Sequence, residues 1–401
     1  MLKAIFSMVV VRGMTLVFPI ALIPLQLKIL GISLYGEYNV LIAISAIGSV
    51  FISYGFDYSI SRNISRVESE LKEICNIVTV VFYCKLINYL VILLFVFVYF
   101  YSVGKLDDFY VMAIFLFSQV LVPIYVFQGM KRMEYLIFNT LFLNVLFLLV
   151  LTVSLFSHVK LNSNEMFLIY AVINLIAAIQ MVFYINKKLQ IHVTKIKIMD
   201  VIYQYRNGGW IFFSRIMSTG LSQWSIIVLS SVLGPENLGV YTLADKLVRA
   251  SNSFFYAIQQ ATYPYFCNRM EKSIFLKVTV TLFFLSIMAV ILFYSMWGYV
   301  IYYFPILDNH LSSVLIMFFA IVPMSISGML GVNFLLAKDY NKEFAFILAL
   351  AAGYNISMLS MYISRDSLTD ASMVLLSTEI IIAFFMVLMV LIKMRKYNGW
   401  Q

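Results

Sequence analysis

Arg12, Lys85, Arg215, Lys246 and Arg249, with the acids Asp57, Asp245 and Glu379, fall inside stretches of otherwise apolar sequence. A guanidinium presents a planar fork that pairs two oxygens of an oxyanion at once, so arginines in such surroundings suit the holding of an anion away from water. Carboxylates in the same setting suit the pairing of those cations or the carriage of a proton or cation. Asp245, Arg249 and Ser253 are spaced by four, which places them on one helix stripe where Asp245 and Arg249 can pair, with Lys246 reaching outward. Asp57 is expected to pair with Arg12 or Arg62. Glu379, between apolar turns, is either a protonated, hydrogen-bonded acid or a coupling carboxylate.

The stretches that carry these charges are membrane helices by composition. Of 401 residues 63% are hydrophobic and only 12% charged, and apolar runs of about twenty residues, enough to cross ~30 Å of hydrocarbon, recur along the whole chain. An all-α integral membrane protein with about twelve transmembrane helices is expected. The runs fall near 5–28, 38–60, 77–101, 110–129, 136–156, 166–186, 209–233, 240–264, 274–297, 311–336, 344–364 and 371–392. Arg12 interrupts the first run and no small-residue cleavage pattern follows, so the first helix is read as retained rather than as a signal peptide.

The net charge of +9 is an orientation signal and not a mark of nucleic-acid binding, because most basic residues sit in short connectors. Lys3, Arg62, Arg66, Lys72, Lys131, Arg132, the lysines of 187–197, Arg206, Arg269, Lys272, Lys338, Lys342, Lys393, Arg395 and Lys396 fall on one side, against Lys105, Lys160 and Arg365 on the other. By the positive-inside rule the first side is cytoplasmic, with both termini. The inner membrane of a bacterium is the expected location.

Two halves are also legible. Arg12 and Arg215, Leu30-Gly31 and Leu233-Gly234, Gly36 and Gly239, Tyr38 and Tyr241, and Arg66 and Arg269 are all separated by 203 positions, so the element LG-x4-G-x-Y occurs twice. Val122-Pro123 meets Val322-Pro323 at a shift of 200. Each half has an even number of spans, so the repeat is parallel. The expected organisation is a six-helix bundle over 1–186, a basic linker over 187–208 with apolar residues at helical spacing, and a second six-helix bundle over 209–401, packed pseudo-symmetrically around a central cavity.

Arg12, Thr15, Pro19 and Gln26 form a polar stripe on the first helix, as Arg215, Ser218, Ser222 and Ser225 do on the seventh. An arginine that merely snorkels to the headgroups needs no polar stripe beneath it, so both are expected to line an aqueous cavity. Pro19 and Pro24 interrupt backbone hydrogen bonding in one helix and mark a candidate hinge. Cys75, Cys84 and Cys267 show no metal-binding or disulfide spacing, the three histidines are scattered over connectors, and no nucleophile motif is present. No enzyme, metal or cofactor is expected.

Arg12, Pro24, L30-G31-x4-G36-x-Y38, Y54-G55-F56 and S61-R62-x3-R66 resemble the start of the Wzx-type O-antigen flippases of the multidrug/oligosaccharidyl-lipid/polysaccharide (MOP) exporter superfamily. The resemblance implies a V-shaped pair of six-helix bundles that moves an undecaprenyl-diphosphate-linked oligosaccharide from the cytoplasmic to the periplasmic leaflet by alternating access. It implies that Arg12, Arg215, Lys85 and Arg249, with Asp57 and Asp245, serve the cavity, and that membrane lipids, an O-antigen polymerase and a chain-length regulator are candidate partners. A diphosphate crossing hydrocarbon needs desolvated guanidinium groups, which agrees with the net positive charge within the spans. A cation-coupled multidrug exporter of the same superfamily should place a carboxylate deep in a half, whereas the first helix has Arg12. An integral-membrane polymerase or glycosyltransferase should have a large periplasmic loop, and the connectors on that side are short.

Overall fold

In the computed structural model, residues 2–66, 71–130, 132–188, 190, 197–268, 270–362 and 367–396 are described. They form α1 (Leu2–Ser53), α2 (Phe56–Arg66), α3 (Leu71–Val103), α4 (Leu106–Leu121), α5 (Ile124–Gly129), α6 (Met133–Phe156), α7 (Ser163–Lys188), α8 (Ile198–Leu229), α9 (Pro235–Asn268), α10 (Lys272–Ser295), α11 (Trp297–Tyr303), α12 (Leu311–Phe319), α13 (Ile321–Leu330), α14 (Asn341–Tyr362) and α15 (Leu368–Lys396). No strand occurs among the described residues. Hydrocarbon offers no partner to a backbone amide, and a helix satisfies its own.

These helices are apolar outside as well as inside. On α3, Val80, Val81 and Cys84 are buried while Leu90, Leu94 and Phe95 are 59%, 63% and 65% exposed. A helix apolar all round belongs in lipid. Among the described residues nine segments are long and apolar enough to cross a membrane. The number is below the dozen expected because Ala21–Ser53 counts as one segment and because α8 and α9, of 32 and 34 residues, dilute their apolar runs with polar and charged side chains.

The first two expected helices are not separated by a loop. α1 runs through the whole L30-G31-x4-G36-x-Y38 element and breaks direction only at Gly31, whose φ of 71° and ψ of 173° suit a residue without a Cβ. The backbone of α1 leaves helical angles at Gly31; the side chains of Arg12 and Pro19 lie outside the described residues. At Val122-Pro123 the expected 110–129 helix divides into α4 and α5, as the missing proline amide requires. The 187–208 connector becomes helical from Ile198 and continues without interruption into the span, so α8 starts about three turns earlier than its apolar run. Residues 191–196 of that connector lie outside the described residues.

Packing groups the chain into two compact units, Met1–Glu37 with Trp224–Gln401, and Tyr38–Gln223. The division therefore cuts α1 and α8 instead of passing through the connector. In the second unit, Phe56, Ile60 and Ile64 of α2 pack with Ile74, Val81 and Cys84 of α3, Val126 and Phe127 of α5, and Met181 of α7 in one core. In the first, Leu243, Val248, Val314, Met317, Ile321, Met329 and Phe334 are buried, with α13 and α15 packed together.

The repeated glycines meet inside the first unit. A Cβ on Gly36 would lie 2.8 Å from both the Gly239 nitrogen and the Pro235 carbonyl oxygen, and one on Gly239 would lie 2.1 Å from the Ile32 carbonyl oxygen. The two copies of LG-x4-G-x-Y are therefore a backbone-to-backbone crossing that admits no side chain at either glycine. Their tyrosines, Tyr38 and Tyr241, are both buried.

Candidate functional site

In the Tyr38–Gln223 unit the charged site is built by the Y54-G55-F56 turn. Tyr54 and Gly55 have φ of 44° and 74°, which ends α1 and starts α2 at once. A Cβ on Gly55 would lie 2.8 Å from Ile211 Cγ2, so the glycine also lets α8 approach. Tyr54 stacks on Phe212 with centroids 4.4 Å apart, and Phe56 meets Tyr205 edge-on at 5.9 Å. Tyr205 in turn donates to Asn88 Oδ1 at 2.7 Å. This docking places Asp57, in the first turn of α2, against Arg215 of α8.

Arg215 Nη1 lies 2.9 Å from Asp57 Oδ2 and 3.4 Å from Ser53 Oγ. The Asp57 side chain is 9% exposed and the Arg215 side chain 31% exposed. Asp57 Oδ1 is buried without a hydrogen-bond partner. The arrangement is a partly open guanidinium anchored from behind by a buried carboxylate, able to turn an edge toward an anion. The Asp57–Arg215 pairing was not foreseen from sequence, where Asp57 pointed to Arg12 or Arg62; the side chains of Arg12 and Arg62 lie outside the described residues.

Lys85 takes a different place in the same unit. It is 2% exposed and its Nζ donates to the carbonyls of Gln119, at 3.2 Å, and Val122, at 2.7 Å. These carbonyls border the break that Pro123 opens between α4 and α5, so the lysine caps a helix end. Tyr125 lies beside it, its ring centroid 5.4 Å from Nζ.

In the other unit Arg249 Nε lies 2.7 Å from Asp245 Oδ2, the i, i+4 pair expected on one helix stripe. Asp245 Oδ1 is buried without a partner. Glu379 of α15 lies within electrostatic reach of both Arg249 and Asp245. Lys246 does not reach outward but sits 4.9 Å from the ring centroid of the buried Tyr35. The serine stripe of α8 enters a polar chain here: Ser225 donates to Asn355 Oδ1 at 2.7 Å, and Asn355 to Thr378 Oγ1 at 3.0 Å. Asn355 and Thr378 escaped the sequence reading because an amide or hydroxyl in a span has no signature until its partner is known. Among the described residues no cluster of His, Cys, Asp and Glu could hold a metal ion.

Residues 1–270 match the family model described as polysaccharide biosynthesis protein. The chain is 23% identical over 401 residues to a protein of Escherichia coli (strain K12) named "Putative O-antigen transporter", covering 97% of this chain and 96% of that one. A Shigella dysenteriae protein of the same name is 24% identical over 272 residues, covering 66% and 67%. Among solved structures, the inward-facing conformation of a multidrug resistance MATE family transporter of the MOP superfamily superposes with a TM-score of 0.70 at 12% identity, covering 91% of this chain and 93% of that chain. An outward-facing MATE family transporter of that superfamily superposes at 0.60, with 12% identity and coverage of 98% and 93%. The fold, all-α with several membrane-spanning helices, is the one these MATE family transporters share. With the match spanning two thirds of its length, the chain belongs to the polysaccharide biosynthesis protein family.

Proposed function

We propose that the chain moves an undecaprenyl-diphosphate-linked O-antigen repeat unit from the cytoplasmic to the periplasmic leaflet of the bacterial inner membrane by alternating access, as a transporter and not an enzyme. The names of its relatives support the coarse reading, polysaccharide or O-antigen transport. The observation that carries the finer one is the Asp57–Arg215 pair, a partly exposed guanidinium fixed by a buried carboxylate inside an apolar body. A diphosphate approaching it exchanges water for a planar, charge-assisted donor, which offsets part of its desolvation.

In this reading Arg12, matched to Arg215 by the repeat, and Arg249 add positive charge to the substrate path, and 1–186 and 209–401 are the two bundles of the repeat. Asp57 and Asp245 orient their arginines. Glu379, near Arg249 and Asp245, is the candidate coupling group, and Pro19 and Pro24 join Gly31 as candidate hinge positions. Both termini and the basic connector face the cytoplasm, where O-units are assembled, and polymerase and chain-length regulator act downstream.

The test is surface O-antigen per membrane-inserted molecule in a strain lacking its own transporter. Losing a charge-assisted contact of ~1.5–3 kcal/mol weakens substrate binding roughly ten- to a hundred-fold. Arg12→Lys should therefore lose part of the activity and Arg12→Ala most of it, because lysine keeps the charge without the planar fork. Normal export per molecule in the Arg12→Ala, Arg215→Ala double variant would remove the two arginines from the mechanism.

A further inference from the structure

A cavity of about 310 Å³ opens between α2, α3 and the first turns of α8, lined by Asn63, Glu73, Asn76, Asp200, Tyr203 and Gln204 among others. Its volume is at the lower end of the ~300–1,000 Å³ usual for small-molecule sites. It lies on the same two helices as the Asp57–Arg215 pair. Asn63 follows Asp57 by six residues on α2 and Gln204 precedes Arg215 by eleven on α8, about 9 and 16 Å along the helix axes.

Gln204 is only 6% exposed, and its carboxamide oxygen is buried without a hydrogen-bond partner. Such a group needs a partner from outside the protein or is held at a cost. The chemistry of that partner follows from the lining. Glu73 and Asp200 are acceptors only when ionised, while Asn63, Asn76 and Gln204 each bring acceptor and donor atoms. No cationic side chain is among the described lining residues, and Glu73 and Asp200 bring negative charge. A neutral molecule with many hydroxyls, each donor and acceptor, matches the set. Tyr203, 59% exposed at the rim, offers a flat face for the C–H side of a pyranose ring.

We infer that the α2–α3–α8 cavity is a saccharide subsite that takes a neutral or N-acetylated hexose by its hydroxyl and amide groups. The inference rests on the reading that the chain carries a lipid-linked saccharide. It separates the labour within one unit: the sugar is held among carboxylates and amides, and the diphosphate is left to Arg215.

The test is saturation-transfer NMR on the full chain in detergent micelles, with N-acetylglucosamine, N-acetylgalactosamine, galactose, glucose, mannose and rhamnose as separate probes. At least one probe should show transfer, and Asp200→Asn and Gln204→Leu should each weaken its binding about tenfold, as loss of one or two hydrogen bonds would. Gln204→Leu removes an unpaired amide, so its thermal midpoint should equal or exceed that of the unsubstituted chain; weakened binding in a firmer protein is a loss of contact and not of fold. Transfer from none of the six, transfer unchanged in both variants, or a cavity filled by Ca²⁺ or Mg²⁺ in their place would overturn the subsite. Export of lipid-linked O-units is scored separately. Cavity-dependent sugar binding without export would refute the transport reading alone, and export without sugar binding would refute the subsite alone.

Discussion

Asp57 has one carboxylate oxygen on Arg215 and the other buried without a partner, so removing the arginine leaves a buried carboxylate without its ion pair. Breaking a fully buried pair costs about 3–5 kcal/mol, but the Arg215 side chain is 31% exposed and water screens part of the loss. Arg215→Ala is therefore expected to destabilise the protein by about 1–3 kcal/mol. Asp57→Ala combined with Arg215→Ala should recover part of that, because the stranded charge is gone. Unfolding of the single and double variants in detergent checks this; strict additivity would mean that the pair contributes no coupling. Lys85 separates structure from transport in the opposite direction. Lys85→Met should lose about 1–3 kcal/mol by uncapping the carbonyls of Gln119 and Val122, while export per inserted molecule stays at the unsubstituted level. A lysine that met substrate would instead lose export without losing stability. The presence of these charges was legible in the sequence, and the helix-spaced Asp245–Arg249 pair with it. The Asp57–Arg215 pair was not, since its partners are 158 residues apart and meet only through the Y54-G55-F56 docking.

At the scale of elements, the repeated LG-x4-G-x-Y was legible as a repeat, but its first copy lies inside α1 where a gap between two helices was expected. Nothing local to 30–38 reveals that the helix continues, because helical contacts and a tight turn both favour glycine there. Its purpose is clear from the crossing with 235–239, where both glycines touch backbone. Gly239→Ala, whose Cβ would lie 2.1 Å from the Ile32 carbonyl oxygen, should lower the thermal midpoint and the inserted protein level more than alanine at Gly298 or Gly353, where a Cβ meets nothing within 4 Å. Gly220→Ala meets nothing within 4 Å and should be neutral or gain up to ~1 kcal/mol from helix propensity. Comparing the two variants by thermal unfolding tests the crossing, and a Gly239→Ala protein as stable as Gly220→Ala would contradict it. The start of α8 was half legible: apolar residues at helical spacing marked an amphipathic segment, but its fusion to the span depends on Tyr54 and Gly208, whose would-be Cβ lies 3.0 Å from the Tyr54 carbonyl oxygen.

For the whole molecule, composition and apolar period were enough for the all-α membrane class, because a bilayer admits few solutions. The grouping of Met1–Glu37 with Trp224–Gln401 arises from packing contacts between residues far apart in the chain, which sequence spacing does not encode. Orientation is proposed from the charge bias: impermeant thiol labelling of single-cysteine variants in intact cells should modify position 105 and spare position 195, and the reverse pattern would invert the assignment. The proposal that the chain carries lipid-linked O-units across the membrane is tested most directly by deleting the gene and locating them. In the deletion strain undecaprenyl-diphosphate-linked repeat units should accumulate on the cytoplasmic leaflet, inaccessible to lectin in intact spheroplasts, and the intact gene should return them to the surface. Lectin-accessible units on the periplasmic leaflet in the deletion strain would contradict it.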